Sequence, residues 1–256
     1  MTAQPAPLTT HAEQVMGTVF SFTAVHGDLP PDAVRAAVAA ACRILHHCDA
    51  LFSTWDPDSP ASRFRRGETA LGQMPPEFTE VLQECRAAKQ ASGGWFDPWA
   101  IPGGFDPTGL VKGWATERAL AELRSAGLAG ALINGGGDVA VFGSPADGQR
   151  WRVGIRHPWR ADALACVIEA DAAVATSGPY ERGAHLIDPA IGQPASRAAS
   201  ATVTGPSLAL ADALATGVAV GGDEALAVVA GLDGYAAYLI RPDGSETDTG
   251  GITFAR

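Results

Sequence analysis

The chain has no uninterrupted apolar run of about 18 residues, so no membrane-spanning helix is expected. Its opening residues, MTAQPAPLTTHAEQ, contain neither a basic segment nor an apolar one, and no secretory signal is expected. Basic residues are the minority, 18 against 28 acidic; the net charge of −10 disfavours a nucleic-acid backbone as partner. Cysteine is scarce. Cys42, Cys48, Cys85 and Cys166 form no CxxC pair and no zinc-like spacing. Cys42, Cys85 and Cys166 fall in apolar or helical patterns and read as small core residues. Internal repeats, low-complexity runs and long linkers are missing, as are Walker A, HExxH, GxSxG and EF-hand motifs. What remains is a soluble, cytoplasmic protein whose chemistry rests on less familiar groupings.

Apolar residues make up 46% of the 256, enough for a sizeable core. Residues 1–14 read as a flexible N-terminus and 15–256 as one domain. QVMGTVFSFTAV (14–25) alternates like a strand. Residues 30–53 and 75–94 carry apolar positions at helical spacing, the first after Pro-Pro-Asp, the second closed by Gly93 and Gly94. His46 and His47 near the end of the first helix read as cations favoured at a helix C-terminus rather than metal ligands. STWDPDSPASRF (53–64) reads as a polar turn, and GGFDPTGLVKGWATERA (103–119) as a bend leading into a helix near Lys112. Strands around turns follow over 130–143, 150–158 and 164–178, then a helix at 206–222 and a closing hairpin through Pro-Asp-Gly. Long helices mixed with hairpin-like strand pairs predict an α+β fold.

Several groupings bear on chemistry. INGGGDVA satisfies GxGxxA, but a strand-like VAVFG follows where a dinucleotide fold needs a helix. That leaves either a tight turn or a turn whose backbone N–H groups approach a ligand. Asp212 is the only ionisable residue in the small, apolar run SLALADALATG, and a buried carboxylate needs a cation or strong donors. Thr216, one turn later on the same face, could add a second oxygen ligand for a hard cation; a surface Asp is the alternative. His185 and Asp188 in AHLIDPAIGQP are either a proton carrier and its neighbour or a structural His beside an Asp-Pro turn. Trp55 either caps the core or stacks on a flat ligand.

Taken in order, the stretches MGTVFSF, LFSTWDPDSPASRF, SGGWFDPWA, FDPTGLVKGWATERA, LINGGGDVAVFG, ATSGPYER, HLIDPAIGQP and TVTGPSLALADALATGVAV resemble the FAD:protein FMN transferases, the ApbE-type flavin transferases. They run from about residue 15 to 220. The resemblance implies the flavin-transferase α+β fold, with mixed, largely antiparallel sheets and packed helices. It implies FAD as substrate, Mg²⁺ as cofactor, and transfer of FMN to a Thr or Ser hydroxyl of an acceptor flavoprotein with release of AMP. Alternatives within the same site are an FAD pyrophosphatase giving FMN and AMP, and a non-catalytic FAD-binding protein. By the resemblance, Asp212, Thr216 and the Gly109 carbonyl hold the metal. Met16, Trp55, Trp95, Phe96, Asp97, Asp106, Lys112 and Ile187 contact FAD, and His185 is a candidate base, catalytic together with Asp212. Departures are visible: no export signal, a very short segment between GGWFDPWA and GGFDPTG, and Glu117 where the family usually has Asp. No acceptor-like segment is present, so self-flavinylation is not expected.

Overall fold

Two short runs near the start of the chain meet as a hairpin. In the computed structural model, which describes residues 7–145, 149–182 and 186–255, β1 (Leu8–Val15) folds back on β2 (Thr18–Val25) through Met16 and Gly17. Both turn residues have positive φ, 53° and 69°, as a two-residue hairpin turn requires. The stretch 14–25, expected as one strand, is thus a corner and one arm. Residues 8–14, expected to be loose, are ladder-bonded to β2. β1 lies at the sheet edge with mostly exposed side chains, so its sequence lacks the alternation that marks a half-buried strand.

The remaining strands are β3 (Gly130–Gly135), β4 (Asp138–Gly143), β5 (Trp151–Arg156), β6 (Leu164–Ala170), β7 (Ala173–Ser177), β8 (Ile187–Asp188), β9 (Gln193–Pro194), β10 (Ser200–Gly205), β11 (Ala236–Ile240) and β12 (Glu246–Asp248). Helices are α1 (Pro31–Phe52), α2 (Pro60–Arg65), α3 (Pro76–Ala91), α4 (Thr108–Ser125), α5 (Pro179–Arg182), α6 (Leu208–Gly221) and α7 (Asp223–Val229). Eight strands form one sheet in the order β1-β2-β3-β4-β7-β10-β11-β12, each neighbour antiparallel. The expected α+β architecture is the one observed.

β4 shows how the layers stack. Its Ala140 and Phe142 join the large core that also holds α1, α3, α4 and α6, while Val139 and Val141 face a second core with Trp151, Val153 and Ile155 of the β5–β6 hairpin. A strand covered on both faces reads as a continuous apolar run, hence VAVF. Two expectations shift at helix starts. α2 occupies the end of the predicted turn 53–64, capped by Ser59, whose Oγ accepts from Ser62 N at 3.0 Å, with Pro60 in its first turn. α4 begins at Thr108 rather than near Lys112; the Asp106 carboxylate accepts from Thr108 N at 3.0 Å. First-turn N–H groups have no intrahelical partner, so a turn-like Pro-Thr-Gly can also open a helix. α4 and α6 cross with backbones touching: a Cβ on Gly113 would lie 2.6 Å from the Leu208 carbonyl oxygen. Among the described residues, no helix is long and apolar enough to cross a membrane.

Candidate active site

Hairpin turns and helix ends converge at one end of the large sheet around a cleft of about 370 Å³. Its walls are the Met16–Gly17 turn, the end of α1 with the loop after it (Asp49, Ser53, Trp55), the first turns of α4 (Thr108, Gly109, Lys112), the end of β7 (Thr176, Ser177), and Asp212 and Thr216 of α6.

α6 is built of small apolar residues because it is buried almost all round. Asp212 is its one carboxylate, 6% exposed, and Thr216 stands one turn further on the same face. Gly109 meets them from α4. A Cβ there would lie 3.7 Å from Thr216 Oγ1 and 3.1 Å from the Phe96 ring, so the missing side chain lets the first turn of α4 lie against α6. A carboxylate, a hydroxyl and bare backbone are all oxygen donors of the kind hard divalent cations take; the residues fit Mg²⁺.

Lys112, one turn into α4, ion-pairs with Asp138, whose side chain is 1% exposed. Asp138 opens β4 directly after the Gly136–Gly137 turn, and its Oδ1 accepts from Thr176 N at 3.2 Å. The glycine-rich stretch is therefore a hairpin turn, with φ of 68° and 109° at its two central residues and Gly137 N donating to Asn134 Oδ1 at 2.8 Å. On the opposite wall, Met16 is the only described non-glycine residue with positive φ. Such strain costs about 1–3 kcal/mol and needs support; Asp49 Oδ2 supplies some by accepting from Met16 N at 3.2 Å. Trp55 projects beside this cleft 90% exposed, a flat apolar face open to a planar ligand.

Of the residues expected from sequence, Met16, Trp55, Gly109, Lys112, Asp212 and Thr216 line this cleft. Trp95, Phe96, Asp97, Asp106 and Ile187 do not. Trp95 packs on α6 where glycines make room, with its ring 2.5 Å from where a Gly221 Cβ would be. Phe96 is buried behind Gly109. Asp97 pairs with Lys89 at 2.6 Å and accepts from Trp99 N at 2.9 Å. Asp106 faces Arg65 at 3.4 Å and accepts from Thr108 N at 3.0 Å. Ile187 pairs with Pro194 in the small β8–β9 ladder. His185 lies outside the described residues. Asp49, Asp138, Thr176 and Ser177 were not singled out from sequence; only Asp138 had a signal, as the acid that follows the glycine turn.

A second compartment of about 490 Å³ adjoins the first, sharing Gly17 and Thr176. Gly136, Gly137, Arg156 and Tyr180 border it. Beneath the cleft, Glu117 accepts from Leu208 N at the start of α6. Burial holds its carboxyl above the usual range, against the lowering effect of hydrogen bonds from Leu208 N, Ser207 and Ala209 N.

Comparison with known proteins bears on this site. A sequence model of the ApbE family matches residues 16–103 and 102–239. A Rhodobacter capsulatus protein named FAD:protein FMN transferase is 38% identical over 151 residues, 55% of this chain and 29% of its own length. A Vibrio cholerae protein of the same name is 34% identical over 130 residues, 46% of this chain and 39% of its own. The chain thus spans well under half the length of these curated relatives. A solved structure described as flavin transferase ApbE from Vibrio cholerae superposes with a TM-score of 0.81, covering 95% of this chain and 97% of that one at 22% identity. That likeness shows the fold.

Proposed function

The chain belongs to the ApbE family, and from that premise we propose that it transfers the FMN moiety of FAD to a Thr or Ser hydroxyl of an acceptor flavoprotein, releasing AMP. The observation that carries this reading is the meeting of Asp212, Thr216, Gly109 and Lys112 in one cleft beside an exposed Trp55. The proposed metal ligands are Asp212, Thr216 and the Gly109 carbonyl. When bound, Mg²⁺ supplies Lewis-acid neutralisation of pyrophosphate charge.

The chain's own residues do the rest. Lys112 brings a second positive charge, held in place by Asp138, and such preorganised charge favours the transition state over the ground state. Trp55 and Met16 border the flavin, and the half-buried Ser53 and buried Ser177 offer hydroxyls to it. Trp95, Phe96, Asp97, Asp106 and Ile187, off the cleft lining, are proposed to act on FAD by holding α6 and the start of α4 rather than by lining the pocket. In the transfer, the acceptor oxygen bonds to the FMN phosphorus as the pyrophosphate bond to AMP breaks. The hydroxyl proton passes to a base, for which His185 is proposed; a positioned base contributes about 10²–10⁴-fold.

The test is incubation of the purified chain with FAD, with and without Mg²⁺, and with and without an acceptor carrying an Asp-x-x-Thr-Gly-Ala-Thr segment. AMP release and flavin fluorescence on the acceptor after denaturing electrophoresis, both needing Mg²⁺, are expected. AMP and FMN with an unlabelled acceptor would replace the reading by a pyrophosphatase. Bound FAD with no AMP would replace it by a flavin-binding protein.

A further inference from the structure

β1 and α1 bring four metal-binding side chains together away from the cleft lining. His11 and Glu13 are two apart on β1, and so share one face of the strand. Cys42 and His46 are four apart on α1, and so share one face of the helix. The strand packs across that helix. The donor atoms of His11, Glu13 and Cys42 all lie within 4.8 Å of one another. Glu13 stands at the centre: Oε2 is 3.0 Å from His11 Nε2, and Oε1 is 2.8 Å from His46 Nε2. None of the four lines the cleft.

We infer that His11, Glu13, Cys42 and His46 form a second metal site that takes one borderline transition-metal ion, with Zn²⁺ the best fit. Two imidazoles, one carboxylate and one thiolate make a four-donor N₂OS set, the number and kind of ligands tetrahedral Zn²⁺ uses. It is unlike the all-oxygen set of Asp212, Thr216 and Gly109, so the two sites select different ions. His11, Glu13 and Cys42 form the close three-donor core, while His46 reaches Glu13 Oε1 from outside that core, so its exposed ring has to swing in to complete the set when the metal binds. Binding exchanges protons for the cation. The Cys42 thiol loses its proton to solvent, and each neutral imidazole keeps its remaining proton on Nδ1. Because the thiol must give up that proton to bind, metal affinity rises with pH. Bound metal would pin the edge strand β1 to α1.

The test uses the full chain, stripped with a chelator and returned to buffer containing Mg²⁺, so that the oxygen site is already supplied. Titration with Co²⁺ is expected to raise a thiolate-to-metal charge-transfer band that saturates at one equivalent and is bleached by Zn²⁺. Cys42→Ser is expected to lose the band. His46→Gln alters an exposed side chain and leaves the core intact. It is expected to weaken Co²⁺ binding by more than about tenfold, since loss of even an outer-shell partner costs about 10–100-fold. Zn²⁺ is expected to raise the melting temperature of the unaltered chain by more than that of His46→Gln at the same concentration. No thiolate band in the unaltered chain, a band that survives Cys42→Ser, or unchanged affinity in His46→Gln would each overturn the inference.

Discussion

Asp212 occupies a helical turn otherwise made of Leu and Ala. A carboxylate in such surroundings is costly without a cation or strong donors. Asn has the same shape without the charge. Asp212→Asn is expected to fold, and to lose Mg²⁺-dependent AMP release by about 10²–10³-fold, the loss seen when one preorganised electrostatic group is removed. Turnover kept at its full Mg²⁺-dependent rate would take Asp212 out of the metal set. Lys112 works differently, through its buried partner. Lys112→Met leaves the Asp138 carboxylate without its cation, and urea unfolding should register about 3–5 kcal/mol of lost stability. The double variant Lys112→Met with Asp138→Asn should recover most of it. Little loss in the single variant would mean that the Thr176 N–H and solvent suffice for Asp138. These residues also show what a sequence can and cannot display. Asp212 and Thr216 stand out because they are polar in an apolar run. Asp49 does not: its significance lies in the Met16 N–H, 33 residues away in the chain, and on its own it reads as one more polar residue on a helix.

At the scale of elements, α1 and α3 were legible because each combines an apolar period with an end signal, the Pro-Pro-Asp start of one and the Gly93–Gly94 close of the other, and α6 because a small apolar run opens after Pro206 and closes on glycines. β1 and the short α2 were not. One is an edge strand with exposed side chains, and the other is a helix only six residues long whose strongest signal, Ser59-Pro60, is also turn chemistry. In the stretch WFD, Trp95 packs on α6, Phe96 lies behind Gly109 and Asp97 pairs with Lys89, and periodicity cannot tell a wall from the support behind it. The element contact on which the site depends most is the α4–α6 crossing at Gly113. A Cβ there meets only backbone, Leu208 O at 2.6 Å and Ala209 N at 2.8 Å, neither of which can rotate away. Gly113→Ala is expected to destabilise by about 1–3 kcal/mol through overpacking. It should also reduce AMP release more steeply than stability, because pushing the helices apart separates Gly109 from Thr216. Gly72→Ala, where nothing lies within 4 Å, is the control and should stay within about 0.5 kcal/mol. Equal behaviour of the two variants would refute the close crossing.

For the molecule as a whole, the excess of 28 acidic over 18 basic residues makes stability against pH informative, because two sets of carboxylates pull in opposite directions. Glu13, Glu68, Glu77, Asp223 and Asp243 are held below their ordinary values, chiefly by His46, Arg66, a backbone hydrogen bond, Arg241 and Ser245 respectively. Their contribution is full above the unfolded values, 4.5 for Glu and 3.8 for Asp, and is lost as pH falls through the lower folded values. Glu117 is raised, first by burial and, among smaller effects, by the charge of Glu84. Between 4.5 and its folded value the native state holds more protons than the unfolded chain, so stability falls as pH rises through that window. The unfolding free energy should therefore peak on the mildly acidic side, with its acid limb set by the first group and its upper limb partly by Glu117. Glu117→Gln cannot ionise but keeps a carbonyl oxygen to accept from Leu208 N at the start of α6. It is expected to flatten the upper limb and leave the acid limb where it was, as read from urea midpoints at a series of pH values. An upper limb of unchanged slope would show that Glu117 titrates alike in both states, and that the start of α6 is wetter than its packing implies.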